Sequence, residues 1–163
     1  MATAQGAGDV FFKVDCARQG PIKGESHDDK HKDEIDVLAW SWGMRAQTTI
    51  AGGEAGKATL NELVVDKKLD CASTALMSAM RNNELIKSAM LTMRKAGQSQ
   101  HEFCKVTIKN ARITSIDIRC DEPGSANYTE SLSFAFQSLK VEYVPQGHDG
   151  QPRGAMQFET QIT

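Results

Sequence analysis

His27 and His31 lie four residues apart in "GESHDDKHKDEIDVLAWSWG", Gly24 to Gly43, a stretch with two histidines and six acidic side chains. On a helix this spacing would put both imidazoles on one side, the arrangement of a metal or acid–base pair. The intervening Asp28-Asp29-Lys30 and the flanking charges leave no apolar face to hold such a helix. Period-two apolarity begins at Ile35, so the charged half reads as a solvated polar loop entering a strand. His101 and His148 stand alone in the sequence and read as exposed. No Ser/His/Asp or Cys/His constellation assembles from the chain, and no residue argues for an enzyme.

A second candidate is "AGGEAGKAT", Ala51 to Thr59. A phosphate loop needs glycine five residues before its Gly-Lys pair, then Ser or Thr. Here Ala51 takes the glycine position and Ala58 follows Lys57. The segment also precedes a strand, so no helix N-terminus would face a phosphate. It reads as part of a long loop, residues 44–57, and loops of that length are often functional. Cys16, Cys71, Cys104 and Cys120 are widely spaced with no CxxC pair, which argues against a zinc cluster and for reduced, mostly buried thiols. The residues imply no metal and no cofactor.

The elements that would position these groups are mostly strands. The chain has 163 residues, 40% hydrophobic and 25% charged, which fits one soluble domain spanning 1–163. A net charge of −2 gives no reason to expect nucleic acid or an anionic membrane as partner. No apolar run approaches the ~20 residues of a membrane helix, and the N-terminus lacks the basic start and apolar core of a secretory signal. Val10, Phe12 and Val14 alternate, as do Leu63 and Val65, Ala89, Leu91 and Met93, and Val106 and Ile108. Two longer segments change phase: Ile113 is followed by Ile116 and Ile118, and Leu132-Phe134-Phe136 by Leu139-Val141-Tyr143. Such slips predict β-bulges, which bend strands and let a sheet curl closed. "DCASTALMSAMRNN" instead has helical spacing, with Ala75, Leu76, Ala79 and Met80 as an apolar stripe, Ser73 as N-cap and Asn82-Asn83 at the end. A final strand is expected within Ala155–Thr163, with Met156 and Phe158 on one face. The fold class that follows is mainly β: a compact barrel of antiparallel strands with one flanking short helix at about residues 73–82.

In "IDVLAWSWG" simple alternation puts Ile35, Val37, Ala39 and Ser41 on one face and Leu38, Trp40 and Trp42 on the other. Trp40 and Trp42 are therefore expected as inward anchors, with the small face free to line a shared surface.

These same residues carry a resemblance. "IKGES" followed by "EIDVLAWSWG", then "AGKAT", "LTMRKAG", "EFCKVTIKNARITSIDI" and "YTESLSFAFQSLKVEYVPQ" occur in the order and spacing of Hcp, the haemolysin-coregulated tube protein family of type VI secretion. The likeness runs from Asp9 to Gln146. It implies a barrel with a flanking helix and a structural rather than enzymatic role. It further implies homohexameric rings that stack into a tube, are exported without a cleaved signal peptide after cytoplasmic assembly, and shelter effector proteins in the bore. Sheath and spike components of the same apparatus would be partners. Carried over by position, Ser41 would face the channel and touch cargo. Arg45, Gln47, Thr48, Thr49, Ile50, Glu54 and Lys57 would lie on the arm that contacts neighbouring rings. Where the family's loop is richer in glycine, this chain has Gln47 to Ile50. Residues 1–8 read as an added flexible segment, and no fused toxin domain is expected after Thr163. A monomeric barrel binding a peptide or sugar, and an enzyme built on His27 and His31, are the competing readings.

Overall fold

A computed structural model describes residues 8–46, 58–96, 101–149 and 152–162. Its strands are β1 (Asp9–Cys16), β2 (Gly20–Pro21), β3 (Ile35–Ser41), β4 (Met44–Arg45), β5 (Thr59–Leu60), β6 (Leu63–Lys68), β7 (Ile86–Arg94), β8 (Glu102–Cys120), β9 (Tyr128–Tyr143) and β10 (Met156–Gln161). A single helix among the described residues, α1 (Ser73–Arg81), joins β6 to β7. Six strands close on themselves in the order β1, β7, β8, β9, β6, β3, every pair antiparallel. Closure is possible because β9 is long. Its first half pairs β6 from Thr129 to Phe134, and its second half carries β10 from Ser138 to Tyr143.

The period-two residues fill the barrel. Phe12, Val14, Ile35, Leu63, Val65, Leu91, Ile108, Leu132, Phe134 and Leu139 are buried together, with Phe12 edge-on to Phe134 at 5.4 Å. Each such side chain contributes about 1.5–3 kcal/mol on leaving water. The anticipated slip after Ile113 is a bulge between Ile113 and Ser115. The slip after Phe136 is different in kind. Lys109 pairs Ser138 and Ala111 pairs Phe136 in an unbroken register, so Asn110 and Gln137 face each other and both strands change phase at one point. Asn110 takes a left-handed φ of 51° to make that turn of phase, a conformation asparagine tolerates.

Strand β3 departs from the sequence reading. Val37 pairs Lys67 but Ala39 pairs Asp66, so Leu38 is an extra residue in a bulge. Leu38 and Ala39 both point outward, and alternation restarts with Trp40 inward. Ile35 and Val37 therefore share the inner face with Trp40 and Trp42, which pack against the core half-buried. Leu38, expected beside the tryptophans, is 55% exposed.

The helix runs as expected from Ser73 and stops at Asn82, but Ser73 is not its N-cap. Ala72 holds that position without a side-chain bond. Asp70, two residues earlier, accepts the Ala72 N–H on its Oδ1 at 2.9 Å in a local turn that leads into the helix. Leu76 and Ala79 join the barrel core, and Met77 and Met80 line an open groove of about 490 Å³ with Ile116 and Ile118 of β8. The loop expected from Met44 also begins differently. Met44–Arg45 pairs Thr59–Leu60 as a short stem. Among the described residues no helix is long and apolar enough to cross a membrane.

Candidate functional site

Ser41 ends β3 opposite Val64 with its side chain exposed. Trp42 is half-buried beneath it, and its indole N–H has no partner among the described residues. Gly43 then accepts the Asn61 N–H at 2.9 Å, and the chain turns into the β4–β5 stem, where Thr59 Oγ1 donates to the Arg45 carbonyl at 3.2 Å. Ser41, Gly43, Arg45, Asn61 and Glu62 thus rim a shallow open depression of about 600 Å³. Glu62 Oε2 accepts from Thr114 Oγ1 at 2.9 Å, tying the rim to the bulged part of β8. The surface is wide, polar and open to solvent. It suits loose contact with a large partner, not enclosure of a small substrate. Gln47, Thr48, Thr49, Ile50, Glu54 and Lys57 lie outside the described residues.

The histidine-rich segment is not a solvated loop. Its backbone doubles back, with Gly24 N donating to Asp33 O at 2.7 Å and Ser26 N to Glu34 O at 2.9 Å. The two legs approach so closely that a Cβ on Gly24 would stand 2.5 Å from the Glu34 carbonyl oxygen. The resulting strap lies on the outer wall of the barrel over Phe11, which alternates with the inward Phe12 and is still only 3% exposed. His31 stacks on the Phe11 ring at 4.3 Å, and the Arg94 guanidinium lies 4.9 Å from the same ring. His31 is 7% exposed, with one ring nitrogen 2.8 Å from Glu34 and the other 2.6 Å from Glu102. Burial arises because the strap needs an aromatic lid over Phe11, a demand that local polarity does not reveal. Arg94 donates to both oxygens of Asp28, at 3.0 and 2.7 Å, and to Asp9 at 2.8 Å. The Arg94 hydrogen bond holds the Asp28 carboxyl down at about 2. In turn Asp28 pushes the Arg94 pKa upward. His101 is buried too, bonded to the Val144 carbonyl at 2.8 Å, whereas His148 is exposed.

A second polar cluster sits inside the barrel, unanticipated by the sequence reading. Lys67 and Glu130 face each other across β6 and β9, both fully buried, with Nζ to Oε2 at 2.9 Å. Lys67 also reaches Asp70 at 2.8 Å and Ser73 Oγ at 3.1 Å, and Ser73 Oγ donates to Glu130 at 2.6 Å. A Ser–Lys contact can signal nucleophilic catalysis. Ser73 is 2% exposed, however, and its hydroxyl is committed to the carboxylate. This cluster fastens α1 to the barrel. Phase was the available signal, because Lys67 continues Leu63-Val65 and Glu130 precedes Leu132-Phe134 on the inward face. The four cysteines are free, but only Cys16 is buried; Cys71 is exposed and Cys104 and Cys120 are half-buried. Burial pushes the Cys16 thiol up to about 11.

The described residues thus form a closed six-strand barrel with clamped internal charges and a broad open rim at Ser41. Residues 11–143 match the family described as "Type VI secretion system effector, Hcp". The chain is 37% identical over 150 residues to Protein hcp1 of Pseudomonas aeruginosa, covering 90% of this chain and 89% of that one. Among solved structures, one described as a type six secretion system protein superposes with a TM-score of 0.86 at 30% identity, over 96% of each chain. Hcp1 from Salmonella typhimurium superposes with a TM-score of 0.77 at 31% identity, over 96% of this chain and 95% of that one. The chain belongs to the Hcp family of type VI secretion tube proteins.

Proposed function

We propose that this chain is the ring subunit of a type VI inner tube. Six copies close a ring, rings stack under the contractile sheath, and the tube leaves the cell with effector proteins in its bore. The observation that carries this reading is the 37% identity to Protein hcp1 across nine-tenths of the chain, with residues 11–143 matching the family. Surface chemistry supports it. Ile118, Tyr128 and Phe158 stand exposed on a lone barrel, and side chains of that size gain by burial against a second copy. Rotation-related contacts of unlike surfaces close into rings. Ser41 is the residue we assign to the bore. It is small, polar and outward, and such a wall would hold cargo weakly and release it. Arg45 lies in the β4–β5 stem, and we assign it, with Gln47 to Lys57 of the intervening sequence, to contacts between rings. The role is structural, with no catalytic residue.

Negative-stain imaging of the purified protein should show rings with an open centre. Ser41→Gln should keep those rings while lowering the amount of co-purifying effector. Equal cargo retention would remove Ser41 from the bore. Isolated particles of single-chain size would favour the monomeric peptide- or sugar-binding barrel.

A further inference from the structure

The wall that carries Ser41 has two ends, and they present opposite charges. It consists of β3, β6, the first half of β9 and the second half of β8. Its register runs Ser41 to Val64, Val64 to Ser133 and Ser133 to Ser115. Further along the same strands, Lys68 pairs Thr129 and Thr129 pairs Arg119. The chain leaves the wall at the Ser41 end through the β4–β5 stem. At the far end it leaves through the turn of residues 121–127, which joins β8 to β9. The six residues of β6 alone hold these ends about 16 Å apart.

At the stem end Arg45 is exposed, and its guanidinium makes no ion pair among the described residues. The nearby carboxylate, Glu62, already accepts from Thr114 at 2.9 Å. At the far end Asp121 and Glu122 are consecutive and both exposed. Their turn is well tied. The Glu122 carbonyl accepts the Ser125 N–H at 3.1 Å and the Ser125 hydroxyl at 2.8 Å. Gly124 and Ala126 reverse the chain with φ of 107° and 57°. The turn also stands clear of the barrel, since a Cβ on Gly124 would meet no atom within 4 Å. None of these bonds uses a carboxylate. Asp121 meets Arg119 at 3.4 Å with both side chains well exposed, and Glu122 meets no cation among the described residues.

We propose that the 121–127 turn of one copy receives Arg45 of a copy in the next ring, with Asp121 and Glu122 as the receiving carboxylates. This rests on the tube reading, in which a wall that lines the bore brings its two ends to the two mouths of the ring. Like mouths would set arginine against arginine, or carboxylate against carboxylate. Unlike mouths give each Arg45 a carboxylate pair, a geometry that guanidinium matches well. Charge at the wall ends therefore selects one direction of stacking. A single exposed ion pair shifts an equilibrium by only about two- to fivefold. Six repeats around a ring compound the lower figure to about sixtyfold. Such contacts hold in a stack and fail between lone chains, and salt loosens them.

Zero-length carbodiimide coupling of the full-length protein tests this, because it joins an amine to a carboxylate only where they touch. Arg45→Lys supplies the amine, and the two ends of one chain lie too far apart to join to each other. In low salt, mass spectrometry should find position 45 linked to Asp121 or Glu122. That link should fall at least tenfold when Asp121→Asn and Glu122→Gln are added, or at about 1 M salt, where charges act over only about 3 Å. Arg45→Glu should leave rings intact and cut the fraction seen stacked in negative stain, and adding Glu122→Arg should restore it. Rings without the link, a link undiminished by the carboxylate changes, or stacking indifferent to Arg45→Glu would overturn the proposal and leave the ring standing. Sedimentation that finds no rings would overturn the tube reading and this contact together.

Discussion

Replacing Lys67 by methionine would leave Glu130 fully buried with its cation gone. The geometry sets what is lost. Glu130 Oε2 keeps the Ser73 hydroxyl at 2.6 Å, but Oε1 has no partner among the described residues even in the parent. Asp70 loses its 2.8 Å contact with Nζ and retains the Ala72 N–H. Breaking a buried pair from one side costs about 3–5 kcal/mol, because the remaining charge is uncompensated. For a chain of this size that lowers the melting temperature by roughly 10 °C or more. The companion variant, Lys67→Met with Glu130→Leu, removes both charges and continues the apolar faces of Leu63-Val65 and Leu132-Phe134. It should recover to within about 1 kcal/mol of the parent or exceed it. Denaturant unfolding of all four members of the cycle, at one fixed protein concentration so that assembly does not bias the midpoints, gives the coupling energy. A Lys67→Met cost below about 1 kcal/mol, or a double variant as weak as the single, would refute the claim that this pair is dry and fastens α1.

Three further outcomes follow from named geometry. Leu38→Lys should change stability by no more than about 0.5 kcal/mol, since Leu38 is the outward bulge residue; a cost of about 2–5 kcal/mol, that of a lost core leucine, in denaturant unfolding would show the bulge is misplaced. Asp28 is depressed by Arg94, so its share of strap stability is present above the ordinary aspartate range near pH 3.9 and is lost as pH falls through about 2. NMR titration of its carboxyl carbon should give a midpoint near that low value in the parent and a normal one in Arg94→Gln, and a normal midpoint in the parent contradicts the bidentate pair. With a thiol reagent at pH 8, Cys71 should react at once and Cys16 only on unfolding, because Cys71 is exposed and burial raises the Cys16 thiol; mass mapping that finds Cys16 labelled in the folded protein contradicts its place in the core.

The barrel was legible because one phase of each strand is apolar and the other is not. Leu63-Val65 and Ala89-Leu91-Met93 leave little choice of face. The slip at Ile113 was legible for the same reason, since it falls inside an apolar run. The bulge at Leu38 was not, because both phases of "VLAWSW" carry apolar side chains and alternation gives no sign of an inserted residue. His31 misled because its neighbours in sequence are charged, while its neighbours in space are Phe11, Glu102 and, through Phe11, Arg94, all distant in the chain. Phe11 beside Phe12 was the available clue: two consecutive large aromatics on a strand imply that both walls are covered. The β4–β5 stem has two residues per strand, too few to display a period. Of the proposed contact surface, Ser41 and the rim around it rest on family resemblance, because exposed small polar residues carry no periodic or chemical signature of their own.

Sedimentation of the purified chain at tens of micromolar tests the central claim most directly. A closed ring should sediment as a species of six times the 17.8 kDa chain mass, stable to dilution. A lone 17.8 kDa species at that concentration would contradict it.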